Sequence, residues 1–258
     1  MSRISLKFQR IKAYSRRVFI ELIRDPLSYV FALGFPIVML VVMTLVNSSI
    51  PAEAEMKIFS LESLAPAVYI FGLTFVMLFD ALLLSKDRGE AFLIRLYTSP
   101  MRDGEFIISY ILPTLVLAVL QGIITFLSAF IIALVNGGGF SVSGALASIV
   151  VSLPSAVLMI LLGLFFGCMF NEKAAPGMSS VVISAASLLG GIWMDVESMG
   201  GVWMKICNVL PFYHAVKAAR MAYSLDFSEI LVHISIVAGY CAILLFTDIL
   251  LFRSKRTK

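Results

Sequence analysis

Six stretches of this chain are each long and apolar enough to cross a lipid bilayer, and that constrains the fold before any motif does. A spanning helix needs about 20 mostly apolar residues. The six run roughly over 27–46, 65–85, 106–135, 144–170, 175–194 and 229–252, and most of their interiors carry no Asp, Glu, Lys or Arg. Inside lipid a backbone must satisfy its own hydrogen bonds, so such segments become helices. Only 14% of the 258 residues are charged and 60% are hydrophobic, whereas a soluble domain carries about a quarter charged residues to cover its core. The expected fold class is therefore all-α, a polytopic membrane protein with six transmembrane helices in a single domain over 1–258.

The basic residues set the orientation, because short cytoplasmic connections are enriched in Lys and Arg. With the N-terminus inside, sixteen of the twenty basic residues fall on the cytoplasmic side; the exceptions are Lys57, Lys205, Lys217 and Arg220. Both termini are then cytoplasmic and the expected location is the cell (plasma) membrane. The first 26 residues are too long and too basic for the lead of a cleavable signal. "ISLKFQRIKAYSRRVFIEL" places Ile4, Phe8, Ile11, Val18 and Leu22 near one face, with Lys and Arg around the rest. That pattern predicts an amphipathic helix over 1–26 lying in the lipid interface.

Outside the membrane, 47–64 reads as a modest polar loop and "NGGGFSVSG" as a tight turn. The stretch 190–228 is apolar but broken by Gly190-Gly191, Gly200-Gly201 and Pro211. Its unbroken runs are too short to span, which predicts re-entrant half-helices before the last span. Trp193, Trp203 and Tyr213 suit the headgroup boundary; an ordinary surface loop is the alternative.

Catalytic and metal chemistry find no carrier. The chain has no G-x-x-x-x-G-K-[ST] phosphate loop, no H-E-x-x-H and no G-x-S-x-G. His214 and His233 read as isolated structural residues. Cys168, Cys207 and Cys241 are far apart and form no metal or disulfide framework. The net charge of +4 is scattered between apolar spans rather than along one face, which excludes nucleic acid as a partner. Asp80 and Asp248 lie about one turn from the inner ends of their helices. They read either as anchors reaching water or a neighbour such as Lys86 or Arg253, or as an ion relay. Gln121 and the Gly163/Gly167 pair read as helix packing, the amide finding a partner across the seam. Pro36, Pro113 and Pro154 are expected to kink their spans.

One cytoplasmic connection carries an unusual share of the charge. In "KDRGEAFLIRLYTSPMRDGE", residues 86–105, the apolar stripe Phe92, Leu93, Leu96 and Tyr97 is flanked by Arg88, Glu90 and Arg95. A short amphipathic helix ending before Pro100 fits this spacing. Topology alone explains the arginines but not the interleaved Asp87, Glu90, Asp103 and Glu105, which point to a mixed-charge contact surface.

The order of segments resembles a known family. A basic amphipathic N-terminus is followed by "LIRDPLSYVFALGFPIVML", then "RLYTSPMRDGEFIISYILP", then "LGGIWMDVESMGGVWMKICNVLPFYHAVKAAR", a last span and a basic tail. This is similar to the membrane (permease) subunit of a type-2 ATP-binding-cassette (ABC) exporter over nearly the whole chain. Ile94 and Ala91 depart from the family pattern, which often has an acid and a glycine there. The resemblance implies that 86–105 is a cytoplasmic coupling helix docking on a separate cytosolic ABC ATPase subunit. It also implies a pathway formed with a second permease copy or a paralogue. ATP and Mg would then belong to the partner ATPase, with no cofactor and no catalytic residue in this chain. The candidate coupling residues are Arg88, Glu90, Arg95, Tyr97, Pro100 and Arg102. Those shaping an outer gate are Gly190, Gly191, Trp193, Pro211 and Tyr213. Membrane lipid is the surrounding partner, and the apolar spans suit a lipophilic or amphipathic substrate (drug, peptide or lipid). An ion-gradient-driven secondary transporter and a membrane anchor for a cytosolic partner are the alternatives.

Overall fold

The computed structural model describes residues 3–26, 30–51, 57–89 and 101–256, and among them all regular structure is helical. The chain opens with α1 (Arg3–Arg24). A π-helical turn at Val30–Gly34 leads into α2 (Phe35–Ser49), with Pro36 in the first turn, where its missing N–H has no partner to lose. α3 (Leu61–Gly89) and α4 (Asp103–Asn136) follow. α5 (Val142–Val151) and α6 (Leu153–Met169) are halves of one apolar stretch, bent by 41° at Ser152. The next elements are α7 (Ala175–Leu189), α8 (Val196–Met199), α9 (Gly201–Val209), α10 (Pro211–Tyr223) and α11 (Ile230–Arg256).

Among the described residues four helical stretches, Val30–Ser49, Leu61–Gly89, Asp103–Asn136 and Ile230–Ser254, are long and apolar enough to cross a membrane, and α5 with α6 makes a fifth if the bent pair is one span. The protein is therefore a multi-pass membrane protein. The segment expected as the fifth span is shorter than its apolar composition implies. α7 has 15 residues, a rise of about 22 Å at 1.5 Å per residue, against a hydrocarbon core of about 30 Å. It stops because the chain turns at Gly190 and Gly191 instead of continuing to Met194. Of the three prolines expected to kink spans, Pro154 follows the break at Ser152, Pro36 sits at a helix start, and α4 runs on through Pro113.

α3 is apolar on every side, which requires burial on every side. It lies at the centre, packed by α2, α4, α6, α7 and α10, and 89% of its most apolar stretch is buried against 17% for the stretches containing α2 and α11. Its tightest seam is with α6. A Cβ on Gly163 would sit 2.5 Å from the Met77 carbonyl oxygen, and one on Gly167 would sit 2.7 Å from the Leu84 Cβ. Only hydrogen at these two positions lets the backbones touch, the small-residue packing expected between membrane helices. Outward faces are apolar too. On α4 the row Ile108, Leu112, Val116, Leu120, Ile123 and Leu127 is exposed, as are Leu231, Ile243 and Phe246 on α11. Surfaces of that kind are stable only against lipid or another apolar face.

Candidate functional site

The end of α3 and the start of α4 flank the connection whose charges stood out. Glu90, Arg95, Tyr97 and Pro100 lie outside the described residues; Arg88 and Arg102 lie inside them. Arg88 turns onto the protein. Its Nη1 donates to the carbonyl oxygens of Gly167 at 2.8 Å, of Phe170 at 3.4 Å and of Cys168. It thus satisfies carbonyls at the C-terminal end of α6, where a cation also complements the helix dipole. Arg102 is exposed and precedes α4, its backbone N–H donating to the Glu105 carboxylate at 3.4 Å.

Two of the acids assigned to a contact surface are in fact buried. Asp87 is 1% exposed and Glu105 8%, and both receive arginines from α1. Arg17 grips Asp87 with two parallel bonds, Nη2 to Oδ1 at 2.6 Å and Nη1 to Oδ2 at 3.1 Å, the bidentate geometry that makes Arg–carboxylate pairs strong. Tyr110 donates to the same carboxylate, Tyr14 donates at 3.4 Å, and the two hydroxyls lie 2.9 Å apart. Arg10 Nη2 meets Glu105 at 3.2 Å. Burial, reinforced by the Asp87 charge, raises the Tyr14 hydroxyl above its usual range, so it remains a donor. For Arg17 burial works against the charge, but the bonds and charge of Asp87 outweigh it and the net shift is upward.

The helix α1 is amphipathic as expected, its inward face keeping Val18 and Leu22 of the expected set, gaining Tyr14 and losing Phe8. Tyr14, Val18 and Leu22, spaced i, i+4, i+8, are buried, whereas Phe8 is 67% exposed and shares an outward flank with Phe19 and Ile23. At 100° per residue these two sets adjoin, so one wide apolar arc serves both the protein and its surroundings.

At the opposite ends of the helices, the 190–228 segment is built around Arg220. Its Nε donates to Ser63 O at 3.0 Å, Nη1 to Gly191 O at 2.9 Å and Nη2 to Ile192 O at 3.4 Å. One side chain thereby joins α10, the start of α3 and the turn after α7. Burial lowers its pKa to about 10, with Asp195 and Glu197 acting in the opposite direction, so it stays charged at neutral pH. Next to it Glu197 accepts from Lys217 Nζ at 2.5 Å and from the Tyr213 hydroxyl at 2.8 Å. Those two bonds lower the Glu197 pKa; Lys217 is raised because Glu197 outweighs its burial. These groups line a cavity of about 790 Å³ together with Lys57, Glu62 and Asp195.

Of the five candidate gate residues, Gly190, Gly191 and Tyr213 line this cavity, and Trp193 and Pro211 are not part of its lining. Gly191 adopts φ +68°, a left-handed conformation in which a side chain is strained, and a Cβ there would press Val196 Cγ2 at 3.1 Å. The Gly190 N–H closes α7 on Ala186 O at 2.9 Å. Trp193 donates from Nε1 to Ser187 Oγ at 2.8 Å and its ring stands edge-on to Phe71 at 5.6 Å. Pro211 begins α10, and Tyr213 joins the Glu197 cluster.

Sequence reasoning missed Arg220, Lys217 and Glu197. A signal was present, since Lys217 and Arg220 are two of the four basic residues that break the inside-positive pattern. It also missed a pairing: His214 and His233, read as isolated, face each other with Nδ1 atoms 2.7 Å apart. His214 Nε2 lies 2.8 Å from Asn208 O, so it carries hydrogen. In a neutral ring Nδ1 then accepts from His233.

Three of the buried polar side chains on the apolar helices had been singled out in the sequence: Asp80, Gln121 and Asp248. Asp80 accepts from Thr114 Oγ1 at 2.8 Å rather than from Lys86. Neither oxygen of Asp248 has a hydrogen-bond partner among the described residues, and the Gln121 amide rests against Gly72 without the partner expected across the seam. Among the described residues no three His, Cys, Asp or Glu side chains cluster as a metal site. The two polar clusters are interlocks, tying separate helices together at each end of the bundle.

No curated protein matches the sequence. The family model described as ABC-2 type transporter matches residues 9–223, which takes in most of α1, both polar clusters and the chain to the end of α10. The chain belongs to the ABC-2 type transporter family.

Proposed function

We propose that this permease is the membrane subunit of an ATP-driven exporter whose ATP and Mg are bound by a separate cytosolic ABC ATPase subunit. The ATPase docks on the cytoplasmic segment 86–105, with Arg95 and Tyr97 at the centre of the contact. A second copy or a paralogue completes the pathway, and the cargo is lipophilic or amphipathic.

One observation carries this reading: both ends of the 86–105 connection are fastened to the rest of the bundle. Arg17 holds Asp87, Arg10 holds Glu105 and Arg88 holds the end of α6. A push on the segment between them therefore reaches α1, α3, α4 and α6 together, which is what a coupling element requires. A connection serving topology alone needs basic residues but no such bracing. The roles proposed for the candidates follow this bracing. Arg88 transmits from within, and the docking contacts belong to Glu90, Arg95, Tyr97, Pro100 and Arg102.

The topology proposed is six spans with both ends cytoplasmic in the cell membrane, resting on the placement of sixteen of twenty basic residues. In it α7 forms the fifth span but ends inside the bilayer, and the turn at Gly190 keeps the following short helices in the outer leaflet as a gate. Arg220 and Lys217 occur on the outer side because both are held by internal partners. Isolating the chain from its native membrane and identifying what accompanies it tests the function. A stoichiometric ATPase with a G-x-x-x-x-G-K-[ST] loop is expected; a complex without any nucleotide-binding subunit would overturn the proposal.

A further inference from the structure

An arginine recurs every seven residues in α1, from Arg3 on, and Arg10, Arg17 and Arg24 are the last three of that series. Seven residues turn a helix by nearly two full turns, so the three lie along one flank. Protein carboxylates meet the first two, Glu105 and Asp87. Arg24 has no carboxylate of its own among the described residues and opens on a cleft of about 680 Å³ between the end of α1 and the inner end of α3. Lys86 and Glu172 are exposed on the same cleft, again without an ion pair among the described residues.

The cleft has two halves. Its polar lining sets Arg17, Arg24 and Lys86 against Glu21, Asp25 and Glu172, and its apolar lining includes Phe79, Leu82 and Leu83 of α3. α3 is otherwise enclosed, so an apolar opening beside its charged inner end marks a place where a molecule with a charged head and an apolar body fits. In the topology proposed above, on which this inference rests, the position at the cytoplasmic ends of the helices and beside an amphipathic helix is that of an inner-leaflet headgroup.

The geometry points to a docking site for one phospholipid with a zwitterionic headgroup carrying a primary ammonium. The phosphate continues the arginine row, taking hydrogen bonds from Arg24 and Lys86. The ammonium faces Glu172, and an acyl chain runs along Leu82 and Leu83. Three cations opposed by three anions give no net attraction for a singly anionic headgroup, which sets this site apart from a basic lipid patch. A trimethylated headgroup has no N–H to donate to Glu172, so the ammonium should be preferred. The site is independent of ATP-driven transport and would exist in a permease of any mechanism.

Native mass spectrometry of the purified full-length protein measures this, with phosphatidylethanolamine, phosphatidylcholine and phosphatidylglycerol added separately and soluble phosphoethanolamine as competitor. The expected order of retention has phosphatidylethanolamine first, with phosphoethanolamine a poor competitor. Losing one charge-assisted bond weakens binding about tenfold, so Arg24→Ala and Lys86→Ala should each lower retention by that factor. Lys12→Ala, an exposed cation of α1 outside the cleft, should leave it unchanged. Glu172→Gln, on an exposed turn where folding is not at stake, should erase the preference for phosphatidylethanolamine over phosphatidylcholine. Stronger retention of phosphatidylglycerol, competition by phosphoethanolamine at equal concentration, or indifference to Arg24, Lys86 and Glu172 would each overturn the site.

Discussion

Replacing Arg17 with alanine isolates the fastening of α1 to the bundle. The substitution removes two charge-assisted bonds to Asp87, at 2.6 and 3.1 Å, and leaves a carboxylate that is 1% exposed. Stripping a buried charge of every partner costs about 3–5 kcal/mol. Here the Tyr14 and Tyr110 hydroxyls remain on Asp87, so the loss should sit at the low end, about 3 kcal/mol. That corresponds to a roughly hundredfold rise in the population with α1 detached. Hydrogen exchange of the α1 amides reads that population directly, and residues 14–24 should exchange faster by about this factor. Asp87→Asn removes the charge that Arg17 neutralises, so Arg17→Ala should cost under about 1 kcal/mol in that background. If Arg17→Ala leaves α1 exchange unchanged, or costs the same with and without Asp87→Asn, the junction is not held by this pair.

Three further outcomes follow from the same contacts. Gly191→Leu places a side chain at φ +68° against Val196, and should impair transport, measured in vesicles, while the complex still assembles. The Glu197 pKa is depressed below its ordinary 4.5, so its stabilisation of the Arg220 cluster is full above that value and is lost as pH falls through the lower folded one. Lys217, raised above 10.5, holds until pH climbs through its folded value; hydrogen exchange of α8–α10 should therefore be flat through neutrality and rise in acid, and Glu197→Gln should remove the acid rise. Single cysteines at Ser99 and Ser254 should react with impermeant reagent only once the inner face is opened, and one at Ser198 should react from outside; external labelling of Ser99 in intact cells contradicts the proposed topology.

The parts of this fold legible in the sequence are those set by solvent preference. Apolar runs such as 65–85 and 106–135 emerge as α3 and α4 because lipid and backbone hydrogen bonding leave them no other form. The Gly163/Gly167 pair was legible for a related reason, since two small residues one turn apart have few uses besides close packing. Lengths were less so. α7 ends at Leu189 and the 144–170 run breaks at Ser152, and neither follows from apolarity alone.

Pairings between distant segments were not legible at all. Arg17 and Asp87 stand 70 positions apart, Arg10 and Glu105 95 apart. Their acids look in sequence like the rim of a surface because they sit among exposed charges, and only the placement of α1 turns them inward. His214 and His233 pair across the start of two helices for the same reason.

Docking of an ATPase on 86–105 is the central claim, and one comparison tests it most directly: co-purification of the ATPase with three variants of the permease. Truncating a buried aromatic anchor costs about 2 kcal/mol or more, some thirtyfold in affinity. Tyr97→Ala and Arg95→Glu should therefore insert normally but lose most of the bound ATPase, and the hydrolysis that remains should no longer respond to substrate. Lys255→Glu, a basic residue of the C-terminal tail with the same topological value, should retain both. If all three variants keep the ATPase equally, the 86–105 segment orients the chain in the membrane and does not couple it to ATP.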